Sequence, residues 1–324
     1  MHDPHPHHRL SLAQIARSAQ VIPPEFLNSP QYNCEPLSEA LGCTLTIKLD
    51  FANPIRSFKA RGASFFVSEM LRRRDSRAIV CASAGNWGQA MAYACRARGL
   101  PIVIYASVNA NPLKVARMKA LGAEVRQEGN DFDAAKDAAK LYAQRINGWV
   151  VEDGLEPEIS EGHGTLAMEL LAHGNAFDAI TIPLGNGALL NGMARWIKAA
   201  SPATRVLGVS AVGADAMEKS WRGKTIVTSQ SADTIADGIA VRVPVPEAVD
   251  DMQGLVDDVL LVTDSHIVTA MRLVYEHSGL LLEPAGAVGV AAIFARQAQF
   301  AHKTVVTVLC GSNITPTQIQ AYLS

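Results

Sequence analysis

The sequence predicts an α/β protein built on two mainly parallel sheets, with a site in the cleft between them. Three observations lead there. Strand-like and helix-like runs alternate through the first half of the chain, and a second such series follows. Strands that alternate with helices imply parallel pairing through right-handed crossovers. The chain has 324 residues, 48% apolar and 19% charged, which suffices for one large or two modest domains with ample core.

Taken in order, Ser11 to Gln20 reads as a short helix that stops before Pro23-Pro24. Thr44 to Asp50 reads as a strand. Asn53-Pro54 then breaks any helix and favours a turn. Behind Lys59, the residues Ala60, Ala63, Phe65, Phe66 and Met70 are apolar at helical spacing. The first series has strands at Ala78–Ala82, Ile102–Ala106, Glu124–Gln127 and Trp149–Val151. Its helices are Trp87–Arg98, Leu113–Leu121 and Phe132–Gln144. The second series has strands at Ala179–Pro183, Val206–Ser210, Val259–Val262 and Thr304–Leu309. Its helices are Leu189–Ala200, Ser265–His277 and Val288–Ala298. Ser220 to Asp251 is the least regular stretch and reads as a cover. No internal repeat, low-complexity tract or Gly/Ser linker is present.

Composition excludes several functions. A net charge of −2 gives no basic field for nucleic acid. No apolar run reaches the roughly 18 residues of a membrane span, and no signal peptide is recognisable. Met1 to Arg9 carries four histidines. It could bind metal, but a frayed tail is the expectation. The cysteines at 34, 43, 81, 95 and 310 lack zinc-ligand spacing. Reduced thiols in a cytoplasm fit best.

Four stretches carry chemistry. Lys59 falls at a helix start, where the macrodipole disfavours a cation. Burial would act the same way, and both favour a neutral, nucleophilic amine. A solvated lysine is the plain alternative. Ser83-Ala84-Gly85-Asn86 follows a strand and opens a helix, an arrangement suited to an anion, although Ser83 and Asn86 are also good caps. Leu184-Gly185-Asn186-Gly187-Ala188-Leu189 repeats the pattern and suits a phosphate. The spacing of Gly185, Gly187 and Gly192 misses the dinucleotide fingerprint, and a plain strand–helix connection remains open. Cys310-Gly311-Ser312-Asn313 ends the last strand, where ligands gather in parallel sheets. An inert buried thiol is the default for Cys310.

Together these stretches resemble the fold type II (tryptophan synthase beta-like) pyridoxal-phosphate enzymes, in particular the serine/threonine dehydratase, or ammonia-lyase, group. Ser57-Phe58-Lys59-Ala60-Arg61-Gly62-Ala63 comes first, followed by Ser83-Ala84-Gly85-Asn86 and the glycine loop. Then come Thr234-Ile235-Ala236-Asp237-Gly238, Glu283-Pro284-Ala285-Gly286-Ala287 and Cys310-Gly311-Ser312-Asn313. Six motifs in family order cover nearly the whole chain. The resemblance implies two three-layer domains, a large cofactor-binding one from 1–70 and 155–324 and a small one from 71–154. It also implies a homodimer.

By that resemblance, Lys59 forms the Schiff base with pyridoxal 5'-phosphate and Phe58 packs beside the ring. Asn86 bonds the ring hydroxyl, and Cys310 faces the pyridine nitrogen. Gly185, Asn186, Gly187, Ala188 and Leu189 hold the phosphate, and Glu283 lines the site. Ser83, Ala84, Gly85, Asn86 and Trp87 form the substrate side. A thiol at the pyridine nitrogen weakens the electron sink and favours β-elimination over transamination. The expected activity is deamination of a β-hydroxy amino acid such as threonine or serine to a 2-oxo acid and ammonia. β-Replacement, β-elimination on a modified amino acid, and a catalytically weak ligand sensor are the alternatives.

The chain departs from the family pattern at several places. Asn186 and Ala188 interrupt the usual glycine run, so Ala188 must avoid a positive φ or carry strain. Trp87 stands where many relatives carry histidine. Arg56 could meet a distal substrate carboxylate or form a structural ion pair. Ser210 and Ala211 stand where some relatives place an acidic cation ligand, so no metal site is expected. Resembling racemases place serine at position 84, so elimination without efficient racemisation is expected here. Too little chain follows the last motif for a separate regulatory domain, so feedback control of that kind is not expected.

Overall fold

The computed structural model describes residues 3–172, 174 and 176–324. The first half of the chain runs α1 (Leu12–Val21), β1 (Gln31–Asn33), α2 (Glu35–Leu41), β2 (Thr44–Leu49), α3 (Ala60–Arg72), β3 (Ile79–Ala82), α4 (Asn86–Arg96), β4 (Ile102–Ala106), α5 (Pro112–Ala120), β5 (Glu124–Gln127), α6 (Phe132–Ile146) and β6 (Trp149–Val150). The second half runs α7 (Pro157–Leu171), β7 (Ala179–Pro183), α8 (Ala188–Ala200), β8 (Arg205–Ala211), α9 (Ala216–Gly223), α10 (Pro246–Met252), β9 (Asp258–Val262), α11 (Asp264–Ser278), α12 (Pro284–Ala295), α13 (Gln297–Phe300), β10 (Thr304–Leu309) and α14 (Pro316–Leu323).

One sheet has six strands in the order β1-β2-β10-β7-β8-β9, and the other has four in the order β5-β4-β3-β6. All pairs are parallel except β1 with β2. The central strand β7 is buried along its whole length, as a parallel strand covered on both faces must be. The four-stranded sheet lies within residues 79–150. The six-stranded sheet draws its strands from either side of that interval. Helix α3 packs against both α4 and α7, so residues 60–70 share an apolar core with the smaller sheet.

Helix α7 was not legible in the sequence, yet it is the hub on which α1, α3 and α8 pack. Its apolar stripe is weak, because small residues carry the contacts. A Cβ on Gly162 would lie 2.8 Å from the Arg61 carbonyl, and one on Gly192 of α8 would lie 1.8 Å from the Ser160 carbonyl. Gly192, which fits no dinucleotide fingerprint, is therefore there to let two helices touch. Strand β1 and helices α2, α9, α10 and α14 are likewise additions to the sequence reading. Ser220 to Asp251 contains the end of α9 and most of α10, and what lies between is irregular, apart from one short turn of 3-10 helix at Asp237–Ile239.

The start of the chain is also corrected. Residues 3–10 are not a frayed tail. Asp3 accepts two hydrogen bonds from Arg195, at 2.8 and 2.6 Å, and the Arg195 side chain is only 2% exposed. Arg9 donates to Asp251 at 3.1 Å, His8 contacts the Asp251 carbonyl and Leu10 is fully buried. A buried guanidinium needs a counter-charge, and the N-terminal strap delivers it. Met1 and His2 lie outside the described residues.

Candidate active site

The carboxyl ends of five strands converge on one cleft. Lys59 follows β2, Ser83 follows β3, Asp153 follows β6, Gly185 follows β7 and Cys310 follows β10. Parallel sheets gather ligands at this edge because chain-crossing turns and helix starts face it.

Lys59 caps the N-terminus of α3. Two residues on, Arg61 is buried and donates to Asp50 at 2.6 Å and to Glu169 at 2.5 Å. Those bonds tie the first turn of α3 to the end of β2 and to α7. Burial opposes ionisation of both Asp50 and Arg61, and their mutual pairing offsets it. Lys59 is thereby aimed along a rigid support. Its ammonium lies 4.8 Å from the centre of the Phe58 ring and forms an ion pair with Asp153.

Asp153 was not foreseen, and it changes the expectation for Lys59. The amine is not left alone at a helix start, because a carboxylate partners it. The signal was available in Val151-Glu152-Asp153, which follows a strand on the side where ligands gather. The other oxygen of Asp153 is buried with no partner among the described residues. The His163 ring of α7 packs tilted against Phe58, with ring centres 4.8 Å apart and neither ring nitrogen partnered among the described residues. Burial pushes the His163 imidazole down to about 3, so it is neutral at physiological pH.

The glycine turn is built from Gly185, Asn186 and Gly187. Gly187 takes φ +91°, the left-handed region, and α8 begins at the next residue. Ala188 is therefore helical and carries no positive φ, which relieves the strain anticipated there. No backbone acceptor is found for the N–H groups of Gly185, Asn186 and Gly187 among the described residues. Ala188 and Leu189 add two first-turn amides without helical acceptors. These donors, together with the helix dipole, form an anion cradle.

Across from it, Ser83 Oγ accepts from the Gly85 and Gly88 amides at 3.1 and 2.9 Å, so the serine shapes its own turn. Asn86 is not a cap. Its side chain donates to Glu283 at 2.5 Å and accepts from Asn313 at 2.8 Å. Burial pushes the Glu283 carboxyl up to about 7, helped by Asp237 and opposed by Lys114 and Asn86. Cys310 is buried with its sulfur 3.8 Å from the Ala285 carbonyl. Burial raises this thiol well above its ordinary range, so it stays neutral. Trp87 is 6% exposed and its indole N–H has no partner among the described residues.

The sequence-derived residues divide between two connected spaces. Phe58, Lys59, Asn86, Gly185 to Leu189, Glu283 and Cys310 line an inner recess. Lys59 and Ser83 to Trp87 line a wider cleft of about 590 Å³ that opens from it. Lys114, Asp237 and Asn313 also shape the site, and only Asp237 and Asn313 fell within stretches singled out in the sequence. Arg56 stands apart. It is exposed, takes φ +53° and has no ion-pair partner among the described residues. Its carbonyl accepts from the Ser312 amide at 3.0 Å.

A lysine amine, a cradle of free amides and a neutral thiol in one recess match what pyridoxal phosphate requires of a protein. The comparisons with known proteins agree. The chain is 31% identical over 288 residues to the L-threonine ammonia-lyase of Thermotoga maritima, across 89% of this chain and 72% of that one. It is 30% identical over 312 residues to human serine racemase, across 94% and 92% of the two chains. The structure of threonine deaminase isoform 2 from Solanum lycopersicum superposes with a TM-score of 0.89 at 28% identity, covering 96% of this chain and 86% of that one. The family described as pyridoxal-phosphate dependent enzyme matches residues 22–311. A match of that extent, on a chain whose lysine, glycine turn and buried thiol meet in one recess, means that this protein belongs to the pyridoxal-phosphate dependent enzymes.

Proposed function

We propose that the protein is an ammonia-lyase that converts a small β-hydroxy amino acid, threonine or serine, into a 2-oxo acid and ammonia. The observation that carries this reading is the placement of Lys59 between the amide cradle and the cleft. Similarity to threonine ammonia-lyases supports it.

In this reading the amides of Gly185 to Leu189 would hold the phosphate of the cofactor, and Lys59 would hold its aldehyde carbon. Phe58 forms one wall, and Asn86 is kept in place by Glu283 and Asn313. When bound, pyridoxal phosphate supplies the electron sink that lets bonds at the substrate α-carbon break. Once the substrate's own amine has displaced it, the Lys59 amine would take the α-proton, and Asp153 would hold the resulting ammonium. The 83–86 turn, stiffened by Ser83, faces the substrate carboxylate. Cys310, a neutral thiol, would offer the ring nitrogen no counter-charge, which favours loss of the β-hydroxyl over transamination.

We further propose a homodimer in the cytoplasm, with a small domain at 71–154 set into a large one. The five buried free thiols support a reducing compartment. Borohydride reduction of purified yellow protein, with peptide mapping and a 2-oxo acid assay, tests the central reading. The pyridoxyl group is expected on Lys59, and Lys59→Ala should abolish 2-oxo acid release. Modification of another lysine, or full activity in the variant, would overturn it.

A further inference from the structure

Besides Lys59 with Asp153, three ion pairs line the outer cleft among the described residues, and one differs from the other two. Lys136 with Glu152 and Arg242 with Asp133 are balanced, with side-chain exposures of 16% and 19% and of 38% and 32%. Lys114 with Asp237 is lopsided, at 10% for the lysine and 57% for the aspartate. Burial fixes the Lys114 ammonium within the wall, where it must have an anionic partner. Asp237 keeps most of its hydration, so moving it into water costs little. The ammonium also lies beside the 83–86 turn, 3.9 Å from where a side chain on Gly85 would begin.

We propose that Lys114 binds the substrate's α-carboxylate, and that Asp237 stands in for that carboxylate while the cleft is empty. The inference rests on the reading of this cleft as an amino-acid site. Substrate entry exchanges one carboxylate for another at a cation that stays in place. Asp237 leaves toward solvent from its turn of 3-10 helix, and the cleft opens to admit the ligand without exposing a bare charge. Such a site selects a free α-carboxylate over an amide or an amine.

Two ligands that cannot be eliminated test the exchange. Glycine and glycinamide are titrated into the holoenzyme, and binding is read from the absorbance of the cofactor. Lys114→Gln should weaken glycine by about tenfold or more, the scale of one charge-assisted hydrogen bond, and leave glycinamide nearly unchanged. Asp237→Asn, at an exposed position, should tighten glycine severalfold because the competing carboxylate is gone. If Lys114→Gln weakens both ligands equally, or Asp237→Asn weakens glycine, the pair is a latch across the cleft and the assignment is wrong. A wild-type enzyme whose spectrum responds to neither ligand would instead overturn the amino-acid reading of the cleft, and the role of Lys114 with it.

Discussion

Behind Lys59, the inner recess presents backbone amides, an uncharged thiol and an amide side chain held from both sides. The outer cleft is walled by ion pairs between side chains. The contrast separates two kinds of tolerance. In the recess the donors are part of the chain path, so a change in backbone conformation moves them all. In the cleft each charge sits on its own side chain rather than on the chain path, so a single substitution changes one contact. Cofactor retention should therefore be brittle and substrate preference adjustable.

The strongest test of that contrast is Gly187→Leu. A leucine there must hold φ +91°, and its Cβ would lie 3.1 Å from the Asn191 amide nitrogen and 3.2 Å from Ala248 Cβ. The side chain would point into the protein rather than into the cradle, so it displaces the turn. Gly42→Leu is the matched control. It carries φ +70° with nothing within 4 Å of the added Cβ. Left-handed backbone alone costs about 1–2 kcal/mol in an L-residue, and both variants bear it. Only Gly187→Leu should lower pyridoxal-phosphate affinity, by about tenfold or more on the scale of the lost amide contacts. Equal affinity in the two variants would place the phosphate elsewhere.

The same contrast explains what the sequence could and could not reveal. The recess was legible because each part is local: Lys59 after Asn-Pro, Gly187 before a helix, Cys310 at a strand end. The alternating strands were legible for the same reason, and Ile102–Ala106 and Ala179–Pro183 fall where the pattern puts them. Asp153 meets Lys59 across 94 residues, Asp237 meets Lys114 across 123, and Asn313 meets Asn86 across 227. No local pattern encodes such pairings. Helix α7 escaped for a different reason. Its glycines pack by absence of a side chain, and apolar periodicity does not register that.

Glu283 sits where the two regions meet, with Asn86 on one side and Asp237 and Lys114 on the other. Burial pushes its folded carboxyl up to about 7, against 4.5 for the free group. The folded state therefore binds more protons than the unfolded one between those values, and stability falls as pH rises through that window. The full effect is on the order of 3 kcal/mol, most of it falling between pH 5 and pH 7.5. Glu161, also raised to about 7 by burial, adds a slope of the same sign. The reading must therefore be a difference between proteins. Urea unfolding of apoprotein at pH 5 and pH 7.5 should show wild type losing more stability than Glu283→Gln. Parallel losses would mean that Glu283 is ionised in the fold and that the Asn86 contact alone sets its position.

The smallest expected effect lies on the substrate turn. Racemisation needs a proton removed from one face of the α-carbon and another delivered to the opposite face. Lys59 serves one face in the proposed function. Ala84 lines the cleft on the 83–86 turn, and a methyl group cannot donate a proton. Because this position belongs to the adjustable side of the site, Ala84→Ser should leave the cofactor in place and add a slow inversion. The check uses enantiopure serine, following 2-oxo acid release together with the configuration of the substrate that remains. Wild type should release product while the remaining substrate keeps its configuration, and the variant should lose optical purity at a small fraction of the elimination rate. Rapid loss of optical purity in wild type would mean that another acid reaches the second face. The indole N–H of Trp87, without a partner among the described residues, is too weak an acid for that task, and Asp153 lies with Lys59 on the first face, so water admitted by the open cleft would then be the donor.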